Sequence, residues 1–168
     1  QNPWDEMPDG NGPSLELRHP SLDNADPLNW FRSDQACGGT PGYDNSRLCD
    51  SPAAPIVINE INYNSNNGVT DPGDWIELYN PNNTAVDVSD WEFYDNANQF
   101  IIPAGTVIQP DEYLVLVENA AMFTSIFPQA ANYVGDFAFN ISKKGERVSL
   151  FDKDKCLSDY VVFNDKAP

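Results

Sequence analysis

Two glutamates, Glu60 and Glu77, stand in segments that alternate like neighbouring strands, and a pair of carboxylates is what acid–base cleavage of a glycosidic bond requires. His19 is the only histidine, so any Ser–His–Asp or Cys–His mechanism must pass through it, and it precedes Pro20 in a proline-rich stretch. Zinc is poorly served. Cys37 and Cys49 lack the close paired spacing of structural zinc sites, and a single histidine cannot complete a second pair. Calcium is better served, because Asp9-Gly10-Asn11, Asp23-Asn24-Ala25-Asp26, Asp71-Pro72-Gly73-Asp74 and Asp152-Lys153-Asp154 each gather hard oxygen donors. The ligand candidates are Asp71, Asp74, Asp152 and Asp154; none of these loops completes a full calcium pattern, and Asp and Asn are also ordinary turn formers. Trp75, Glu77 and Tyr79 share one face of an alternating segment and form a candidate platform for a sugar or a protein partner. The competing expectation is that the N-terminal segment or a neighbouring module covers those rings.

Charge narrows the partners. With 26 Asp and Glu against 9 Lys and Arg, the net charge of −17 repels phosphate backbones and anionic membrane surfaces alike. No uninterrupted apolar run approaches the ~20 residues of a membrane-spanning helix. Four Trp, seven Tyr and nine Phe nevertheless supply the apolar surface that disordered acidic chains lack, so the chain folds. Cys37, Cys49 and Cys156 allow at most one internal disulfide; the short Gly-rich loop between Cys37 and Cys49 makes that pairing the expected one, with three free thiols as the alternative, since spacing alone does not fix pairing. A disulfide and an acidic, Lys-poor composition suit a secreted protein. Gln1 opens the chain without a signal segment, which points to processing or to a piece of a longer protein.

The elements that must position these residues are strands. Residues 1–55 hold eight of the fourteen prolines and read as extended loop, with one strand candidate at Ser14–Arg18 whose Leu15 and Leu17 need a sheet to dock on. From Ile56 onward, short β-branched and aromatic runs alternate with turns such as Asn80-Pro81-Asn82-Asn83 and Lys143-Lys144-Gly145. The expected strands are Ile56–Tyr63, Trp75–Tyr79, Ala85–Tyr94, Phe100–Ile108 broken at Pro103, Tyr113–Val117, Val134–Phe139, Arg147–Phe151 and Leu157–Phe163. Asn119 caps one short helix, Ala120–Phe127, that Pro128 stops. Alternation sends Ile76, Leu78, Val148 and Leu150 inward, and Arg147 and Ser149 outward.

The order of three segments is specific: IVINEINYN at 56–64, DWIELYNPNNTAVDVSDWEFYD at 74–95 and IIPAGTVIQPDEYLVLV at 101–117. Together with KKGERVSLFD at 143–152 they resemble the lamin-tail domain family over nearly all of residues 55–168. The resemblance implies an all-β, immunoglobulin-like antiparallel β-sandwich with one short helix, found in nuclear lamins and as a module of secreted or surface bacterial proteins. It also makes Glu60 and Glu77 ordinary strand positions. WDEMPDGNGPSLEL at 4–17, with DPLNW and GGTPG after it, is similar to the closing part of the same domain, which implies a permuted order. Residues 1–54 then either close a preceding module or fold back in cis beside the Cys156–Phe163 strand; the cis arrangement is the expected one, with a strand-swapped dimer as its variant. The functional expectation is a non-catalytic structural, adhesion or protein-interaction module of a larger secreted or cell-surface protein, without a cofactor. A carbohydrate-binding accessory, or a glycoside-cleaving domain using Glu60 and Glu77, is the alternative.

Overall fold

The computed structural model describes residues 4–5, 8–10, 12–50, 54–64 and 70–165. Asn11, which entered the calcium expectation, lies outside them. Among the described residues twelve strands form: β1 (Leu15–Leu17), β2 (Trp30–Arg32), β3 (Val57–Asn62), β4 (Trp75–Tyr79), β5 (Val86–Asp87), β6 (Glu92–Tyr94), β7 (Gln99–Ile101), β8 (Val107–Ile108), β9 (Tyr113–Val117), β10 (Tyr133–Gly135), β11 (Arg147–Phe151) and β12 (Leu157–Val162). The one α-helix among the described residues, α1 (Ala120–Ile126), starts where the Asn119 side chain accepts the Met122 N–H at 3.0 Å.

Two four-stranded sheets, ordered β10-β9-β4-β3 and β12-β11-β6-β7, pack face to face, with the β5–β8 ribbon beside them. All pairings are antiparallel except β9 with β10. Period-two alternation puts Ile76, Leu78, Leu114 and Leu116 of one sheet against Phe93, Val148 and Leu150 of the other, all fully buried around Trp91. Each such side chain contributes about 1.5–3 kcal/mol over its exposed state. Along one side β3 meets β12 through side chains: the Ile56 and Ile58 N–H groups donate to Ser158 Oγ and Asp159 Oδ2, both at 2.8 Å.

The turns carry their own constraints. Asn80 is fully buried, its amide donating to the carbonyls of Thr84, Ile108 and Gln109 while its oxygen takes the Asn82 N–H, so one side chain replaces several missing ladder bonds. Gly145 has φ +86°, and a Cβ there would lie 2.2 Å from Asn164 Cα and 2.3 Å from the Phe163 carbonyl oxygen. Gly145→Ala is therefore expected to destabilise the chain by about 2 kcal/mol or more in urea unfolding, with an unchanged m-value.

The N-terminal segment departs from expectation in two ways. Ser14–Arg18 does not extend the sheet beside Cys156–Phe163; β1 pairs with β2 in a separate ribbon, with register Leu15↔Arg32 to Leu17↔Trp30. Its polarity is also inverted. Glu16 is buried while Leu15 and Leu17 are half-buried, because Thr40 Oγ1, Ser46 N and Ser46 Oγ all donate to the Glu16 carboxylate. The expected Cys37–Cys49 bridge is absent. Cys49 bonds Cys156, 107 residues away, and Cys37 is a free, exposed thiol. Geometry explains the choice, since docking of the segment brings the Cys49 and Cys156 Cα atoms to 4.9 Å, inside the range a disulfide spans.

That docking rests on a second, smaller core. Phe31 packs edge-on against Tyr94 and Phe151 on the outer face of the β6–β11 sheet, with centroids 5.1 and 4.7 Å away. Arg47, also fully buried, lies over the Phe31, Tyr94 and Phe151 rings at 4.7–4.8 Å and pairs with Asp34 and Glu92 at 3.0 and 2.9 Å. Arg147 and Ser149, expected to face outward, are consequently buried, and β11 is covered on both faces.

Candidate functional site

The outer face of the β3–β4–β9 sheet is built by register. Three rows cross it, Val57–Tyr79–Tyr113, Glu60–Glu77–Val115 and Asn62–Trp75–Val117. Because strand residues alternate, placing Ile76 and Leu78 in the core obliges Trp75, Glu77 and Tyr79 to share this face. The predicted trio is thus brought together. What covers part of it is α1, not the N-terminal segment, which docks on the other sheet. Trp75 stands edge-on to Phe123 and Phe127, both at 6.3 Å, and its indole N–H is buried with no partner among the described residues. Between α1, the turn after it and the sheet runs a groove of about 550 Å³, lined by Trp75, Glu77, Val115, Phe123, Ile126 and Phe127 with residues 128–130. At the far end Tyr79 and Tyr113 pair at 4.9 Å, and the Tyr79 hydroxyl donates to Asp111 at 3.0 Å.

Glu60 and Glu77 face each other directly across β3 and β4. A bulge between Ile58 and Glu60 lets Asn59 reach over and donate to Glu77 Oε1 at 2.8 Å. Like charges placed opposite weaken a ladder, and nothing in the rows around them gathers the substrate-orienting groups that glycoside cleavage needs.

His19 does meet a serine and an aspartate. Its Nδ1 is 2.6 Å from Ser21 Oγ and accepts the Ser21 N–H at 3.2 Å, and its Nε2 lies 3.7 Å from Asp50. The tautomer with Nε2–H toward Asp50 has the order of a relay. Yet His19 and Ser21 are two residues apart in one turn, and the Asp50 side chain is 75% exposed, so water dissolves the electrostatic advantage.

The aspartates proposed for calcium are spent on loops. Asp71 Oδ1 takes the Gly73 N–H at 2.9 Å, Asp74 Oδ2 takes the Ile141 N–H at 2.7 Å, and Asp152 Oδ1 takes the N–H groups of Asp154 and Cys156 at 2.9 Å. Asp154 pairs with Lys153 at 2.7 Å on the surface. Among the described residues no group of three or more His, Cys, Asp or Glu is arranged to hold a metal ion. Asn82 and Asn140, each two residues before a Thr or Ser in the Asn-x-Ser/Thr pattern of glycosylation acceptors, donate to the Pro55 carbonyl and to Glu118.

Burial gives two of these carboxyls a pH signature. Burial raises Asp74, with Glu118 and Asp71 adding to the rise against the Ile141 N–H, and burial raises Glu146 against the Ser142 N–H. A raised carboxyl binds its proton more tightly folded than unfolded, so stability falls as pH climbs from the ordinary carboxylate range to the raised value. Glu16 runs the other way: burial raises it, but bonds from Ser46, Ser33 and Thr40 outweigh burial and hold it low, so its contribution is lost as pH falls below that range. The thermal midpoint is expected to rise as pH falls from neutral towards the ordinary carboxylate range and to drop again once pH falls below that range. Asp74→Asn, which keeps an acceptor for Ile141, should flatten the rise; scanning calorimetry across pH reads both.

Sequence reasoning missed the arginine layer. Arg147 donates only Nε, to Ser149 at 3.0 Å, its other two nitrogens are buried without partners among the described residues, and burial lowers its pKa to about 10. Arg32 crosses the layer to Asp5 at 2.9 Å and to the Asp95 and Asn96 carbonyls. The available signal was an arginine on a strand's outward face between apolar neighbours, which implies a lid.

An immunoglobulin-like sandwich whose polar side chains tie loops and layers defines a structural or protein-interaction module. The profile described as the Lamin Tail Domain matches residues 50–165 of the 168, and the chain belongs to the lamin tail domain family. The docked segment before residue 50 lies outside the match. No curated protein sequence matches the chain. No helix among the described residues is long and apolar enough to cross a membrane.

Proposed function

We propose that this chain is a non-catalytic binding or spacer module of a larger secreted or cell-surface protein, acting through its surface and its neighbouring modules. The observation that carries this reading is the employment of its acids. Glu16, Asp74, Glu92, Glu146 and Asp152 are buried as acceptors or ion-pair partners inside the framework, and the groove beside Trp75 has apolar walls. The Cys49–Cys156 bridge supports an oxidising location, where such a staple persists. Charge supports a protein partner over nucleic acid or an anionic membrane.

The fold needs no cofactor in this reading, so the thermal midpoint should coincide in calcium and in chelator; a chelator-induced fall of several degrees contradicts it. A sugar-binding accessory is the second reading, favoured by the Tyr79–Tyr113 pair with Asp111 at its rim. A glycan array on the folded chain separates the two. Hydrolysis of any oligosaccharide that disappears in Glu77→Gln would defeat the non-catalytic reading.

A further inference from the structure

The groove beside α1 has a charge pattern that a generic interaction module does not require. From Leu48 to Ser142 the chain holds thirteen Asp and Glu and not one Lys, Arg or His. Its four arginines, Arg18, Arg32, Arg47 and Arg147, are buried, three of them in contact with the aromatic rings under the docked segment. The β10-β9-β4-β3 sheet and α1 therefore carry no basic residue at all. Glu77 is the one charged residue lining the groove, Glu60 lies directly opposite it, and no cation pairs with either among the described residues.

Two demands follow from this surface. Phe127, 40% exposed, and the half-buried Trp75 and Val115 lose water most favourably to an apolar side chain. The facing carboxylates are stabilised by a cation brought between them. An acidic peptide or a nucleic acid is repelled, and walls with so few polar groups offer a sugar little of the hydrogen bonding that orients it. Strand addition is also ruled out here, because β4 and β9 are both internal to the sheet and present no free backbone edge.

We propose that this groove docks an extended basic segment of a partner protein, seating a proline or other apolar side chain against Trp75 and Phe127 and pairing an adjacent Arg or Lys with Glu77 and Glu60. This rests on the interaction-module reading and names the chemistry of its partner. Aromatic grooves edged by carboxylates suit extended, proline-containing chains, whose backbone loses little entropy on binding.

The test is a selection from a random dodecapeptide display library on the folded chain, followed by calorimetry of synthetic winners against wild type, Glu77→Arg and Phe127→Ala. Both substitutions lie on the surface, and thermal midpoints confirm that the variants are folded. The expected result is enrichment of Arg or Lys beside Pro or a large apolar residue. Affinity should fall at least tenfold in each variant and fall further as salt rises. Winners without a basic residue, winners that bind both variants like wild type, or no winners at all would overturn the groove assignment. In the second case the module reading survives with its site elsewhere. A glycan-array hit lost in Phe127→Ala would also overturn the assignment and give the groove to a sugar.

Discussion

Replacing Cys49 and Cys156 together with serine is expected to lower stability by about 4–5 kcal/mol, because the bridge closes a loop of 107 residues. For a chain of this size that corresponds to a drop of about 8–20 °C in thermal midpoint. The loss should be uneven. The bridge ties the last part of the docked segment to the start of β12, so limited proteolysis of the double mutant is expected to cut within residues 12–50 before it cuts the sandwich. Cys37→Ser is the internal control, since its exposed thiol donates only to the Gly39 carbonyl; its effect should stay within about 0.5 kcal/mol. Were Cys37→Ser the damaging change, the layer beneath the segment would have to be redrawn.

Arg47→Leu is expected to cost about 3–5 kcal/mol. The guanidinium is fully buried, bonds Asp34, Glu92 and the Tyr94 hydroxyl, and lies over three aromatic rings. Its removal leaves Glu92, nearly as buried, with Lys155 as its remaining cation, and Lys155 is a third exposed and so screened by water. The sign of the double mutant is the informative part. Arg47→Leu with Glu92→Leu removes both charges, and recovery of about 1.5–3 kcal/mol relative to the sum of the singles in urea unfolding would show that the cost is an orphaned charge. Arg47→Lys should not rescue, because an ammonium can neither bridge two carboxylates in a plane nor stack flat on Phe31.

These two sites lie where the sequence was least legible, and the reason is physical. Alternation is a local property; with apolar runs bounded by turns it located β4, β9 and β11 to the residue, and the Asn119 cap marked the start of the helix. It assigns residues to faces without saying which face is covered. Arg147 and Ser149 lie on the face that alternation sends outward, and they are buried because a second layer arrives from more than a hundred residues earlier. Leu15 and Leu17 misled for the same reason: the neighbours that decide the ribbon's inner face are Thr40 and Ser46, which suit Glu16. The three-residue β2 is too short to show a period. Disulfide pairing is set by where docking places Cys49, which spacing along the chain cannot report. The candidate site was legible in its residues, Trp75, Glu77 and Tyr79, but not in its cover, since nothing in α1 alone says which ring it will shade.

The N-terminal segment lies over β11 of its own chain, sealing one face of the sandwich while the other stays open beside α1. Non-reducing peptide mapping with intact mass tests this most directly. A monomer whose Cys49 and Cys156 peptides are joined, with Cys37 the only cysteine alkylated before reduction, is the predicted result. A Cys37–Cys49 peptide, or the Cys49–Cys156 bridge found between two chains, would contradict it.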